Sequence, residues 1–161
     1  MPYPTVGDDA PGVPPCSIHR RYHNVPKGQF IYNNLINTGE KYMTSRELME
    51  NIVKIADERK AVEITAIGVE NHTTLTDYFV IMTGTSNTHI RALADHIEEN
   101  LTRQFGEEPH HVEGVTSNWV LLDYSSVVVN IFAQDARELF ALERLWADGT
   151  EIDISNLIKP N

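Results

Sequence analysis

Apolar residues recur along the first half of this chain at helical spacing and then at strand spacing. Leu48, Ile52, Ile55 and Arg59 fall at i, i+4, i+7 and i+11, and the three apolar members predict a helix that buries one stripe. Thr44 with Glu47 three residues on is a capping box, so the helix is expected to begin directly after Thr44 and to end at Lys60. Residues 62–69 are β-rich and read as a strand closed by Asn71. Residues 77–83 (DYFVIMT) form a nearly unbroken apolar run, which predicts a strand buried on both faces. Gly84 permits a sharp turn, and Thr85 or Ser86 can cap the following helix. Ile90, Leu93, Ala94, Ile97, Leu101 and Phe105 give that helix its stripe, and Gly106 stops it.

Residues 110–113 predict a short strand. Residues 119–124 and 127–132 predict a hairpin across Ser125-Ser126. Asp135 with Glu138 has the spacing of a second capping box, with Leu139, Leu142, Leu145 and Trp146 on one face of a last helix. Residues 149–161 read as an extended tail. The element order is α-β-β-α-β-β-β-α, an α/β (α+β) single domain with a mixed sheet packed by helices and no internal repeat. Residues 1–42 differ: Pro2, Pro4, Pro11, Pro14, Pro15 and Pro26 interrupt them and no period persists. They are expected to be a disordered leader, or to lie upstream of a natural start at Met43. Gly39-Glu40-Lys41-Tyr42 can be encoded with a purine-rich ribosome-binding stretch just before the Met43 codon. The domain is then expected over residues 43–148.

Charge changes this picture. The chain of 161 residues carries a formal net charge of −10. Arg20, Arg21, Lys27 and Lys41 outnumber Asp8, Asp9 and Glu40 by one, so residues 43–161 hold −11. Phosphate backbones repel such a surface, which argues against direct sequence-specific nucleic-acid binding and for a basic protein partner. No apolar run is long enough to cross a bilayer, and no signal-type segment opens the chain. The single Cys16 can form no internal disulfide, which points to a reducing, cytoplasmic setting.

Little catalytic chemistry is on offer. A strand, Gly84-Thr85-Ser86 and a helix could grip a phosphate as nucleotidyltransferases do. That chemistry also needs paired carboxylates for magnesium. Asp95 lies inside the predicted helix without a second acid at alternate spacing, Asp123 is alone, and Asn130 stands where another acid would be needed. A turn with an N-cap explains the segment more simply. His89 and His96 are two helical turns apart, and His110-His111 point to opposite faces of a strand, so no metal and no cofactor is expected. Trp119 and Trp146 fit either a core or a protein interface.

Together these segments spell a pattern. DYFVIMTGTSNTHIRALADHI (77–97), Glu113-Gly114, WVLLDY (119–124), VVVNIF (127–132) and RELFALERLW (137–146) resemble, in order and spacing, the ribosomal silencing factor (Iojap-like) family. Two positions depart from it: Ser125-Ser126 stand where the family has Gly-Asp, and Asn130 where it commonly has His. The resemblance implies a nucleotidyltransferase-like fold without the catalytic acids, hence no enzyme. It implies binding to the large ribosomal subunit through ribosomal protein L-fourteen, a steric block to subunit joining, and repression of translation under nutrient limitation, as in stationary phase. It also implies a homodimer in isolation. Large-subunit assembly, or nucleotide-binding catalysis on the same fold, are the alternatives. The hairpin and last helix would supply the contacts: Trp119, Tyr124, Phe140, Leu145 and Trp146 as apolar groups, and Asp123, Glu138 and Glu143 as acids.

Overall fold

The computed structural model describes residues 43–159, and the expectations for residues 1–42 lie outside them. Helix α1 (Ser45–Glu58) begins as the sequence requires. Thr44 Oγ1 accepts the Glu47 N–H at 3.2 Å, and Glu47 Oε2 accepts the Thr44 N–H at 2.9 Å. Leu48, Ile52 and Ile55 are buried, and Met49, Val53 and Ala56 widen the stripe. Arg59 falls outside it as the exposed C-cap.

Strands β1 (Val62–Gly68) and β2 (Tyr78–Thr83) pair antiparallel. Val80, Ile81, Met82 and Thr83 are all buried, as expected for a strand covered on both sides. Helix α2 (Asn87–Phe105) starts at Ser86, whose Oγ accepts the His89 N–H, and ends at Gly106 with φ +71°. A Cβ on Gly84 would lie 2.6 Å from Ile90 Cγ1, so the turn needs glycine to bring β2 and α2 together. Phe105, assigned to the stripe by period, is instead exposed at the end of the helix.

Strand β3 (His111–Glu113) pairs with β4 (Trp119–Asp123), which forms the hairpin with β5 (Val127–Phe132). β5 returns parallel to β2, and with a last short strand β6 (Thr150–Glu151) the mixed sheet has the order β3-β4-β5-β2-β1-β6. The hairpin tip is a two-residue turn despite lacking glycine. Ser125 takes φ +65°, and the Asp123 carboxylate accepts its N–H at 2.7 Å. Left-handed backbone costs a non-glycine residue about 1–2 kcal/mol, part of which glycine's greater unfolded freedom offsets. Ser125→Gly is therefore expected to raise stability by about 1 kcal/mol in urea titration. A destabilised variant would show that the serine side chain supports the tip.

Three expectations are corrected. The last helix is two short helices, α3 (Gln134–Phe140) and α4 (Leu142–Leu145), separated by Ala141 at φ +44°, ψ +51°. No capping box forms at Asp135 and Glu138: the N-cap is Ala133, without a side-chain bond, because the Ala133 N–H extends the hairpin ladder to the Asn118 carbonyl. Glu138 accepts from Gln134 Nε2 instead. Finally, residues 149–159 are not a bare tail. Strand β6 (Thr150–Glu151) pairs with β1, Ile154 enters the core, and the Lys159 N–H reaches the buried Asp57 carboxylate. The alternation Ile152-Asp153-Ile154 carried that signal.

Helices α1 and α2 cover one face of the sheet and enclose the larger core. The opposite face carries a smaller core of Ile67, Val69, Ile81, Phe132 and Ala136, roofed by α3 and α4.

Candidate docking surface

The uneven covering of the sheet creates the site. Strand register puts Trp119, Leu121 and Asp123 of β4, Val128, Asn130 and Phe132 of β5, and Phe79 and Ile81 of β2 on the face opposite α1 and α2. The short α3–α4 pair cannot roof all of it. Phe79, Leu121, Val128 and Trp119 stay only half-buried. Beside them Phe140 is half-exposed, while Leu139 and Leu145 are 78% and 71% exposed. The helix break is the cause: Leu142 and Trp146 turn inward onto the second core, and Leu139 and Leu145 turn outward.

Aromatic rings organise this surface. Trp119 lies between Phe132, 4.9 Å away between ring centres, and Phe140, 4.8 Å away. Trp146 packs on Phe79 at 5.0 Å. Trp119 Nε1 donates to Asn130 Oδ1 at 3.0 Å. An indole N–H can only donate, which fixes the orientation of the amide and leaves the buried Asn130 Nδ2 without a partner. The departure at Asn130 thus places an acceptor beneath Trp119.

The loop before β4 holds the Trp119 backbone. Gly114 has φ +76°, and a Cβ there would lie 2.0 Å from the Trp119 carbonyl oxygen, which only glycine allows. Ser117 Oγ donates to that oxygen at 2.6 Å, and Arg91 Nε donates to the Val115 carbonyl, tying the loop to α2.

The eight candidate contact residues separate under this geometry. Trp119, Phe140, Leu145 and Trp146 come together around the half-covered face. Glu138 is exposed beside them. Asp123 lies at the hairpin end, one oxygen committed to the Ser125 N–H and the other 3.8 Å from His111 Nδ1. Glu143 is bound to Arg137 at 2.6 Å. Tyr124 requires correction: it points to the opposite face, is 5% exposed and belongs to the larger core. Burial, reinforced by Glu98 and Glu107, pushes its phenol pKa upward. A contact with a partner is therefore closed to it in the folded hairpin. Phe79, Leu121, Val128 and Leu139 join the candidate surface on exposure and position, and strand alternation with sheet register places the first three on the face of Trp119.

At the Gly84-Thr85-Ser86 turn the Gly84 N–H donates to the Phe132 carbonyl. The Thr85 N–H donates to His89 Nδ1 at 3.0 Å, and the His89 N–H to Ser86 Oγ. His89 Nε2 lies 2.8 Å from the Arg59 carbonyl, joining the start of α2 to the end of α1. Among the described residues no cluster of three or more His, Cys, Asp or Glu side chains is placed to hold a metal ion, and no helix is long and apolar enough to cross a membrane.

The model of a family described as ribosomal silencing factor during starvation matches residues 42–161. The chain is 30% identical over 117 residues to the ribosomal silencing factor RsfS of Halalkalibacterium halodurans, covering 72% of this chain and 99% of that protein. It is 29% identical over 101 residues to mitochondrial assembly of ribosomal large subunit protein 1 of Mus musculus, covering 61% of this chain and 44% of that one. A crystal structure of a Chromobacterium violaceum protein superposes with a TM-score of 0.63 at 27% identity, covering 69% of this chain and 92% of that one.

Proposed function

The chain belongs to the ribosomal silencing factor family, and we propose that it docks on the large ribosomal subunit through ribosomal protein L-fourteen and sterically prevents the small subunit from joining. On this reading it represses translation in the cytoplasm when nutrients are scarce, and it does so without catalysis. A blocker of this kind needs affinity and overlap, not turnover. The observation that carries the docking site is the apolar face left open by α3 and α4, with Leu139, Phe140 and Leu145 standing out from it. Large apolar side chains left exposed on one short segment mark an interaction site more readily than single scattered ones do. In the isolated protein a second copy of the chain would cover the same face, as a homodimer.

Charge supports the choice of partner. The −11 carried by residues 43–161 favours encounter with a basic ribosomal protein and disfavours direct contact with RNA phosphates. The turn that could have gripped a nucleotide uses the Thr85 and His89 amides within the chain. A second reading, that the protein assists assembly of the large subunit, is favoured by its likeness to the mouse protein named for that process. The same docking would serve it.

The test is co-sedimentation with purified large subunits, followed by addition of small subunits. Protein stripped with EDTA and returned to magnesium buffer is expected to bind undiminished and to lower the yield of joined ribosomes. Association should slow as salt rises, because screening shortens to about 8 Å near 0.15 M. Binding that requires a metal or nucleotide would overturn the non-catalytic reading. Binding without any effect on joining would favour assembly.

A further inference from the structure

The geometry points to Arg137 as the positioning residue for this docking surface: a buried clamp that fixes the α3–α4 pair on the sheet so that Leu139, Phe140 and Leu145 are presented together. The inference rests on the docking reading above and adds the residue that sets its geometry.

Arg137 leaves α3 and turns inward, its side chain only 10% exposed. A guanidinium has five N–H donors in a fixed fork, and here four hydrogen bonds to four different oxygens and a close ion pair hold it. Nε and Nη2 both reach Glu143 Oε1, at 2.8 and 2.6 Å. Nη1 donates to the Glu63 carbonyl at 2.7 Å and to Thr83 Oγ1 at 2.9 Å. Nη2 also approaches Thr65 Oγ1 at 3.3 Å. One side chain thereby joins α3, the start of α4, β1 and the end of β2.

The backbone is bent on both sides to make this possible. Among the described residues four non-glycine positions have positive φ, and two belong to the clamp. Glu63 at φ +48° lies in the irregularity between Val62 and Thr65 where the β1–β2 register shifts, and it is its carbonyl that Arg137 takes. Bulges commonly re-aim a group in this way. Ala141 at φ +44° breaks the helix and folds Glu143 back onto Arg137. On either side of that break Leu139 and Leu145 stay exposed. The helices themselves are too short to hold a position: α3 has seven residues and α4 four, below the length at which a helix persists without packing. Their exposed leucines add no packing of their own, so the clamp, the inward Ala136, Leu142 and Trp146, and Phe140 against Trp119 must hold them.

Fixing the pair in advance matters to binding because affinity falls by the fraction of molecules in which the surface is assembled. Lysine cannot substitute: its ammonium carries three donors and no planar fork.

The experiment compares wild-type protein with Arg137→Lys and with Thr65→Val/Thr83→Val, which removes two acceptors beneath the clamp and leaves the docking side chains untouched. Val53→Ala, on the buried face of α1 in the opposite core, serves as a control chosen to match their loss of Tm. Hydrogen exchange and co-sedimentation with large subunits are read for each. The clamp variants are expected to lose at least tenfold protection at amides 137–146 while α2 and β5 stay protected, and to bind large subunits at least tenfold more weakly. Val53→Ala is expected to bind as wild type. Unchanged protection at 137–146 in both clamp variants overturns the inference, as does unchanged binding despite lost protection. Equal weakening by Val53→Ala also overturns it, because general destabilisation then suffices. Wild-type protein that fails to sediment with large subunits overturns the docking reading, and the inference with it; wild-type binding with unaffected clamp variants overturns the inference alone.

Discussion

Phe132→Ala is expected to cost about 3–5 kcal/mol of folding stability, the largest single loss among the side chains of the second core. Phe132 is fully buried at the end of β5. It pairs with Thr83 on one side and Trp119 on the other, and its ring stacks on Trp119 and lies 6.3 Å from Phe140. Truncation removes the floor on which two half-exposed aromatic rings rest. Those rings can sink into part of the cavity, which favours the lower end of the range, because the cost of a large-to-small change depends on how far the site collapses. The same collapse should move Trp119 off Asn130 and Phe140 away from Leu139, so docking should weaken along with stability. A urea midpoint that gives a loss below about 1 kcal/mol would mean that the second face contributes little to folding. The α3–α4 pair would then owe its position to Arg137 alone.

Elements whose signals are local came out in place: the Thr44–Glu47 capping box, the two-sided burial of β2, the Ser86 cap and the Gly106 stop of α2. The break at Ala141 was invisible. Alanine is the strongest helix former and neither glycine nor proline stands near it, so RELFALERLW reads as one helix. The break is imposed by tertiary contacts, the pull of Arg137 on Glu143 and the inward packing of Leu142 and Trp146. Nothing within ten residues encodes Thr65, Thr83 or the Glu63 carbonyl as their partners.

Tyr124 was a different kind of miss. Strand alternation places Trp119, Leu121 and Asp123 on one face of β4, and Val120 and Leu122 on the other, with Tyr124 following the latter pair into the core. Aromatic character alone pairs Tyr124 with Trp119; the strand period separates them. The same period would have added Leu121, and through the sheet register Val128 and Phe79, to the candidate surface.

Leu139→Asp combined with Leu145→Asp is expected to weaken large-subunit binding by more than a hundredfold, about 2.8 kcal/mol, while changing folding stability by less than about 0.5 kcal/mol. Both side chains project into solvent, so their replacement removes little packing from the folded chain. The sign of the binding effect is what makes the pair informative. If charge held the complex together, two further carboxylates on an acidic protein would tighten its grip on a basic partner. If burial of leucine sets its lifetime, the same carboxylates must be desolvated on docking and the complex falls apart faster. The two contributions separate kinetically. The association rate should stay level or rise slightly with the added negative charge, and the dissociation rate should carry the whole loss. Leu145→Ala alone should raise the dissociation rate by about tenfold, since a well-buried leucine contributes roughly 1.5–3 kcal/mol against exposure. A double variant that binds as well as wild type would show that the exposed leucines lie outside the contact and that the half-covered sheet face around Phe79, Leu121 and Val128 is met from another direction.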